Sequence, residues 1–360
     1  MKTKIACFYA LFASLVSITY AQPGAKRPQN PQPPFPYRTE EVVFWNQADS
    51  ARLSGTLTCP DKKGKFPAVV LISGSGTQNR DEEILGHKPF LVIADHLTRN
   101  GIAVLRFDDR GAGGSTRGKG SITTRSNARD VRAAVDFLKA RKEIDTKKIG
   151  LIGHSEGGTI VFMLAAEYKD IRFIVSLAGA GVSGDKILLS QQEKQFRASG
   201  APDSVVQNLL EANREYFNLI KASEANNADF RAEVSRWLKK KYPAITDKQV
   251  EAQLKTLLNP WMYDFVKEDP YNTIKQVTVP VLAVNGKKDM QVLSNINLPA
   301  IEQALKEGGN LNYRMVEPED LNHLFQHAKT GAPAEYGQLE ETFAPEVLDI
   351  LTAWILKQCK

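Results

Sequence analysis

With 360 residues, 42% of them hydrophobic and 24% charged, the chain can bury a full core, either as one large domain with an insertion or as two domains. The formal charge of +6 is spread thinly, and Lys239-Lys240-Lys241 is the only tight basic run. That run reads as a solvated helix face without interleaved aromatic residues, which sets nucleic-acid binding aside. The chain has five histidines and three cysteines but no Cys-x-x-Cys. His323 and His327 stand four apart without an accompanying H-E-x-x-H pattern, so no metal site and no cofactor are expected.

The first element is a targeting signal. Lys2 and Lys4 precede a mostly apolar stretch over 5–18, and Thr19-Tyr20-Ala21 resembles a small-residue cleavage site. Residues 1–21 therefore read as a secretory signal peptide, too short for a comfortable membrane span, and Cys7 lies too early to be a lipoprotein cysteine. An exported, periplasmic or extracellular protein is expected, with no membrane span. Its charge falls from +6 to +4 through loss of the two lysines. The Pro- and Gln-rich segment 22–37 reads as an extended linker. Export would permit a disulfide, but nothing in their positions requires Cys59 and Cys359 to meet.

From Arg38 onward the pattern becomes that of a folded core. Residues 41–45 and 53–58 read as paired strands, and 66–72 as a strand buried on both faces. Next come a helix over 89–98 that starts at a proline, a strand over 102–107, and a helix over 128–142 with Val131, Val135 and Leu138 on one face. A strand over 148–152 leads into Gly153-His154-Ser155-Glu156-Gly157, and an apolar helix follows. Strands over 173–178, 279–284 and 311–316, a helix over 300–306 and a closing helix over 345–357 complete the alternation. Such alternation predicts an α/β fold, a mostly parallel central sheet flanked by helices. The break is a helical cap insertion over 185–269, between a first part of the core at 38–184 and a second part at 270–360. The insertion leaves the sheet at a strand end, where such folds place their sites, and reads as a lid.

G-x-S-x-G between a strand and a helix is a nucleophile elbow: a turn sharp enough to strain the serine backbone and expose its hydroxyl at a helix N-terminus. The small residues Gly153 and Gly157 keep strand and helix from clashing. A serine hydroxyl needs a base, and the base needs a carboxylate to fix its tautomer. In the chain order Ser, acid, His, only His323 and His327 follow Ser155. His323 lies among loop residues just past the last strand and is the candidate base. His327, His87 and His96 are left to surface or packing roles, and the His154 side chain is expected to point away from the hydroxyl. Asp289, in the Gly-containing loop after the strand over 279–284, is the candidate acid, with Glu317, Glu319 and Asp320 as rivals. An oxyanion hole would take one backbone N–H from Glu156 and one from the loop Ser73-Gly74-Ser75-Gly76-Thr77, at Ser75 or at Gly76. That loop lacks the G-K-[ST] of a phosphate cradle. The segment 108–111 reads as a loop braced by an Arg–Asp pair, and Arg80, Asp81 and Glu82 stand near enough in the pattern to border a pocket.

These pieces resemble the α/β-hydrolase superfamily, and most of all its secreted bacterial serine carboxylesterases. The resemblance rests on Ser73-Gly74-Ser75-Gly76 with Asn79-Arg80-Asp81-Glu82, on 105–111, on 152–158, on Asn285-Gly286 with Asp289, and on Asn322-His323-Leu324-Phe325. It implies a Ser155–Asp289–His323 triad acting on a small-molecule carboxylic ester, with short acyl groups. One departure is Ser73, where such loops often carry histidine. Two other classes of function share these features: a serine peptidase or acyltransferase with the same triad, and a non-catalytic binding module on the same fold.

Overall fold

The computed structural model describes residues 26–360, and the expected signal peptide lies outside the described residues. Eight strands form one sheet: β1 (Tyr37–Asn46), β2 (Ala51–Pro60), β3 (Phe66–Ile72), β4 (Ala103–Phe107), β5 (Ile144–His154), β6 (Phe173–Leu177), β7 (Val281–Val284) and β8 (Tyr313–Val316). Their order across the sheet is β1-β2-β4-β3-β5-β6-β7-β8. β1 and β2 pair antiparallel, β2 joins β4 antiparallel, and every remaining pair is parallel. The central strands read as continuous apolar runs because helices cover both of their faces.

On one face lie α2 (Thr124–Lys139), α3 (Glu156–Glu167) and α10 (Ser294–Glu307). Here Val131, Val135, Leu138, Ile160 and Ile301 share one core with Ala68, Val70 and Ile72 of β3. On the other face lie α1 (Pro89–Arg99) and α11 (Pro345–Gln358), where Phe90, Ile93, Val347 and Trp354 share a second core with Val69 and Leu71. Alternate residues of one strand thus feed two separate cores. Cys59 belongs to the first core and Cys359 to the second, and both are buried free thiols.

The insertion is helical, as its periodicity predicts: α4 (Gly184–Ala198), α5 (Asp203–Ala222), α6 (Ala228–Lys241), α7 (Asp247–Leu257) and α8 (Pro260–Lys267), with α9 (Pro270–Ile274) returning the chain to β7. It has its own core, in which Phe217 and Ile220 of α5, Phe230 and Val234 of α6, and Leu254 of α7 pack with Val266 of α8. Val205 faces solvent at 39% exposed, although it sits beside the apolar face that Val206, Leu209 and Leu210 bury. No helix among the described residues is long and apolar enough to cross a membrane.

The described part of the Pro-rich segment is tied to the domain. Arg27 donates to the carbonyls of Leu85, Gly337 and Leu339, and Gln29 bonds Thr342 and Phe343.

Candidate active site

Ser155 sits between β5 and α3 with φ 54° and ψ −115°. This backbone conformation is costly for any residue with a Cβ, and the surrounding contacts impose it. The Ser155 N–H donates to Leu177 O at 2.8 Å, and its carbonyl accepts from Gly158 N at 2.9 Å. Strand and helix meet so closely that a Cβ built at Gly153 would lie 2.0 Å from Gly157 O, and one at Gly157 would lie 2.2 Å from Ile72 O. The loop after β3 lies against the serine: a Cβ built at Gly74 would stand 3.1 Å from the Ser155 Cβ.

Asp289 and His323 come together because β7 and β8 are parallel neighbours and the loops that follow them are laced. Lys287 N donates to Pro318 O at 2.9 Å and Lys288 N to Leu321 O at 3.0 Å. The His323 turn is organised by buried Asn322, whose Oδ1 accepts from the N–H groups of Leu324 and Gln326. His323 Nδ1 lies 2.7 Å from Asp289 Oδ2, and both residues are buried. The other Asp289 oxygen accepts from Gln291 N at 2.7 Å and Val292 N at 2.9 Å. An ionised carboxylate only accepts, so Nδ1 carries the proton and Nε2 is left as the basic nitrogen. The rival acids face solvent instead: Glu319 and Asp320 pair with Lys287 and Lys288, and Glu317 is exposed. His327 is exposed beside Glu341 and Glu346. His87 is buried between Thr342 and Tyr336 O, and burial lowers its pKa to about 4.

The His154 side chain is buried, with its ring 4.8 Å from that of His323. It contacts Glu82 and the His323 carbonyl. Glu82 is a residue of this neighbourhood whose role the sequence left undecided. Its Oε1 accepts from Gly74 N at 2.6 Å. Of the two residues before it, Arg80 pairs with Asp108, and Asp81 pairs with Arg106. Arg110 is buried and held by Asp130 and Asp49, so the loop after β4 is braced by Arg–Asp pairs as its composition predicts. In the loop after β3, Ser73 Oγ donates to Asp109 Oδ1 at 2.8 Å and Gln78 N donates to Oδ2 at 2.9 Å. Ser75 and Gly76 lie exposed next along this loop, and Gly76 has φ 103°.

Glu156, directly after the serine, is buried, yet its carboxylate is fully engaged. Thr124 Oγ1 donates to it at 2.6 Å, and the Trp261 indole N–H lies 3.0 Å from each oxygen. Trp261 belongs to α8 and stacks on Phe265, so the cap touches the elbow through this contact. The spacing of the insertion gives no hint of this bond.

Asp109 supplies a pH test. Burial, backed by the charges of Glu82 and Glu156 and opposed by its two hydrogen bonds, pushes its pKa up to about 7. The unfolded carboxyl ionises near pH 4, so the folded protein holds the extra proton between about pH 4 and pH 7. The stability contributed by this group therefore falls as pH rises through that window. Asp109→Asn removes the titration. Its Tm relative to wild type should rise from pH 5 to pH 8, by on the order of a few degrees in calorimetry; a constant difference would refute the assignment.

A strained serine at a strand-to-helix turn, a buried His–Asp pair from the ends of β7 and β8 and a glycine-rich loop against the serine together define a hydrolase fold. A family model described as alpha/beta hydrolase fold matches residues 67–330, and the chain belongs to that family. Among curated proteins it is similar to Esterase EstD of Thermotoga maritima, at 27% identity over 310 residues, 85% of this chain and 66% of the esterase. The chain thus spans just under two thirds of that relative's length. Among solved structures it is similar to the Pyrococcus furiosus esterase Pf2001, with a TM-score of 0.55 at 18% identity over 90% of this chain and 92% of the other. It is also similar to Est1E of Butyrivibrio proteoclasticus with ferulic acid bound, with a TM-score of 0.52 at 17% identity over 88% and 99% of the two chains. At these identities, the two structural likenesses are likenesses of fold.

Proposed function

We propose that the chain is a serine esterase that hydrolyses carboxylic esters, with a preference for short acyl groups, through Ser155, His323 and Asp289. The observation that carries this reading is the buried 2.7 Å contact between His323 Nδ1 and Asp289 on loops that end beside the Ser155 elbow. His323 Nε2 takes the Ser155 proton as Oγ attacks the ester carbonyl, and Asp289 stabilises the imidazolium that forms. The oxyanion is held by the backbone N–H of Glu156 and that of Ser75, with Gly76 next in line. Ser75 is favoured because Glu82 already engages the N–H of Gly74, which makes Ser75 the next amide along the loop. Collapse of the tetrahedral intermediate expels the alcohol, which takes its proton from the His323 imidazolium, and leaves an acyl-serine with His323 neutral again. His323 then activates a water that releases the acid.

The name of EstD, which is matched over 85% of this chain, supports ester hydrolysis. The test is a fluorophosphonate probe together with a series of p-nitrophenyl esters. Mass spectrometry is expected to place one adduct on the Ser155 peptide, and turnover should decline from acetate and butyrate to octanoate. Unlabelled Ser155 with intact esterase activity would overturn the proposal.

A further inference from the structure

His154 and Glu82 are buried, and each faces more than one partner. His154 Nδ1 lies 3.0 Å from Glu82 Oε1, and Nε2 lies 2.9 Å from the carbonyl oxygen of His323. The carbonyl can only accept, and so can Glu82 in its ionised form. A neutral imidazole has one N–H and can satisfy only one of them, whereas an imidazolium satisfies both. His87 provides the contrast within the same molecule. One of its nitrogens faces a carbonyl and the other the hydroxyl of Thr342, which can donate, so a neutral ring suffices there.

We infer that Glu82 and His154 form a buried carboxylate–imidazolium pair that positions the oxyanion loop and the base-bearing loop against the Ser155 elbow. The inference rests on the triad proposed above. One oxygen, Glu82 Oε1, accepts both from Gly74 N, adjacent to the Ser75 amide, and from His154, adjacent to Ser155. Through its second nitrogen His154 holds the backbone of the base itself. Three loops distant in sequence are thereby linked by one ion pair.

The turn that aims Glu82 inward is built locally. Asn79 Oδ1 accepts from Asp81 N and Glu83 N, Glu82 N donates to Asn79 O, and Glu82 takes φ 50°. Burial opposes the charge on His154, but Glu82, the His323 carbonyl and Asp289 together raise its pKa above the usual histidine value. The other groups facing the pair are the His323 ring, 4.8 Å from that of His154, the edge of Phe325, and the carboxyl of Asp109 across from Glu82. Both members act through neighbours, so they are positioning residues.

The charge is read by NMR on the full chain labelled with 15N-histidine, with His154→Gln assigning the signals. In the wild type at pH 8, both His154 ring nitrogens are expected to show the protonated signature. Glu82→Gln keeps the shape and the acceptor for Gly74 but removes the charge. His154 should then become neutral, and kcat on p-nitrophenyl acetate should fall about 10- to 100-fold with KM within about threefold, as expected of misplaced catalytic groups. Glu82→Asp, which keeps the charge, should recover part of that loss, and it serves as the test if Glu82→Gln does not fold. A neutral His154 in the wild type overturns the proposal, as does a Glu82→Gln enzyme within twofold of wild-type kcat. If Ser155 proves not to be the nucleophile, the triad reading fails while the NMR result still decides the state of the ion pair.

Discussion

Replacing Ser155 with alanine should lower kcat on p-nitrophenyl acetate by about 10⁴- to 10⁶-fold, because the whole covalent route passes through one oxygen. The residual rate would come from a preformed oxyanion site and substrate binding, so KM should change far less than kcat. A second substitution at this position separates chemistry from folding. Ser155→Gly is equally without a hydroxyl, but glycine adopts φ 54°, ψ −115° without the penalty a Cβ incurs. It should therefore melt above wild type, by about 1 kcal/mol of stability, while remaining inactive. Inactive and more stable is the outcome expected if the backbone strain is held for function. Wild-type turnover by Ser155→Ala, measured on enzyme free of contaminating esterase, would end the proposal.

A large effect on folding is expected at Gly153. A methyl group there would be forced to 2.0 Å from Gly157 O and 2.2 Å from its carbonyl carbon, both of them backbone atoms of the first turn of α3. No rotamer change relieves such a clash. Either β5 or α3 must move, and β5 is buried in the centre of the sheet with α3 packed against its face. Gly153→Ala should cost about 3 kcal/mol or more, at the upper end for overpacked interiors, and lower Tm by on the order of 5–10 °C. Its effect on kcat should exceed its effect on KM, because displacement of α3 moves the Glu156 amide with it. A variant that melts within a degree of wild type would show that the elbow has slack that the geometry denies it.

The local patterns were legible where one element answers to one rule. The alternation of apolar strands and amphipathic helices, the elbow and the helical insertion all follow from periodicity and turn chemistry, and the sheet and cap match them. Boundaries slipped where a local signal was overridden. α10 begins at Ser294 rather than near residue 300, because Pro299 lies inside the helix, where proline ordinarily marks an end. α2 begins at Thr124, capped by Thr123 with Ser126 in the place where a capping box usually has Glu or Gln.

What the sequence could not disclose are partnerships between distant segments. Glu82 stands in a run of charged residues that reads only as bordering a pocket, and nothing in that run shows that it is 6% exposed and bonded to His154, 72 positions away. Trp261 lies in the cap insertion, where nothing in the pattern points to the bond its indole makes with Glu156. Ser73, which departs from the loop residue common in the family, finds its hydroxyl partner in Asp109 from the next strand end.

The separation of Cys59 and Cys359 onto opposite sides of the sheet has a practical meaning. The protein carries two built-in reporters, one for each hydrophobic layer. Burial raises the pKa of both thiols, that of Cys359 to about 11, so in the native state each is protonated and shielded from alkylating reagents. Each becomes reactive only when the helices over its own side lift away. The order in which a maleimide modifies Cys59 and Cys359 during denaturation would therefore tell which wall of the molecule opens first.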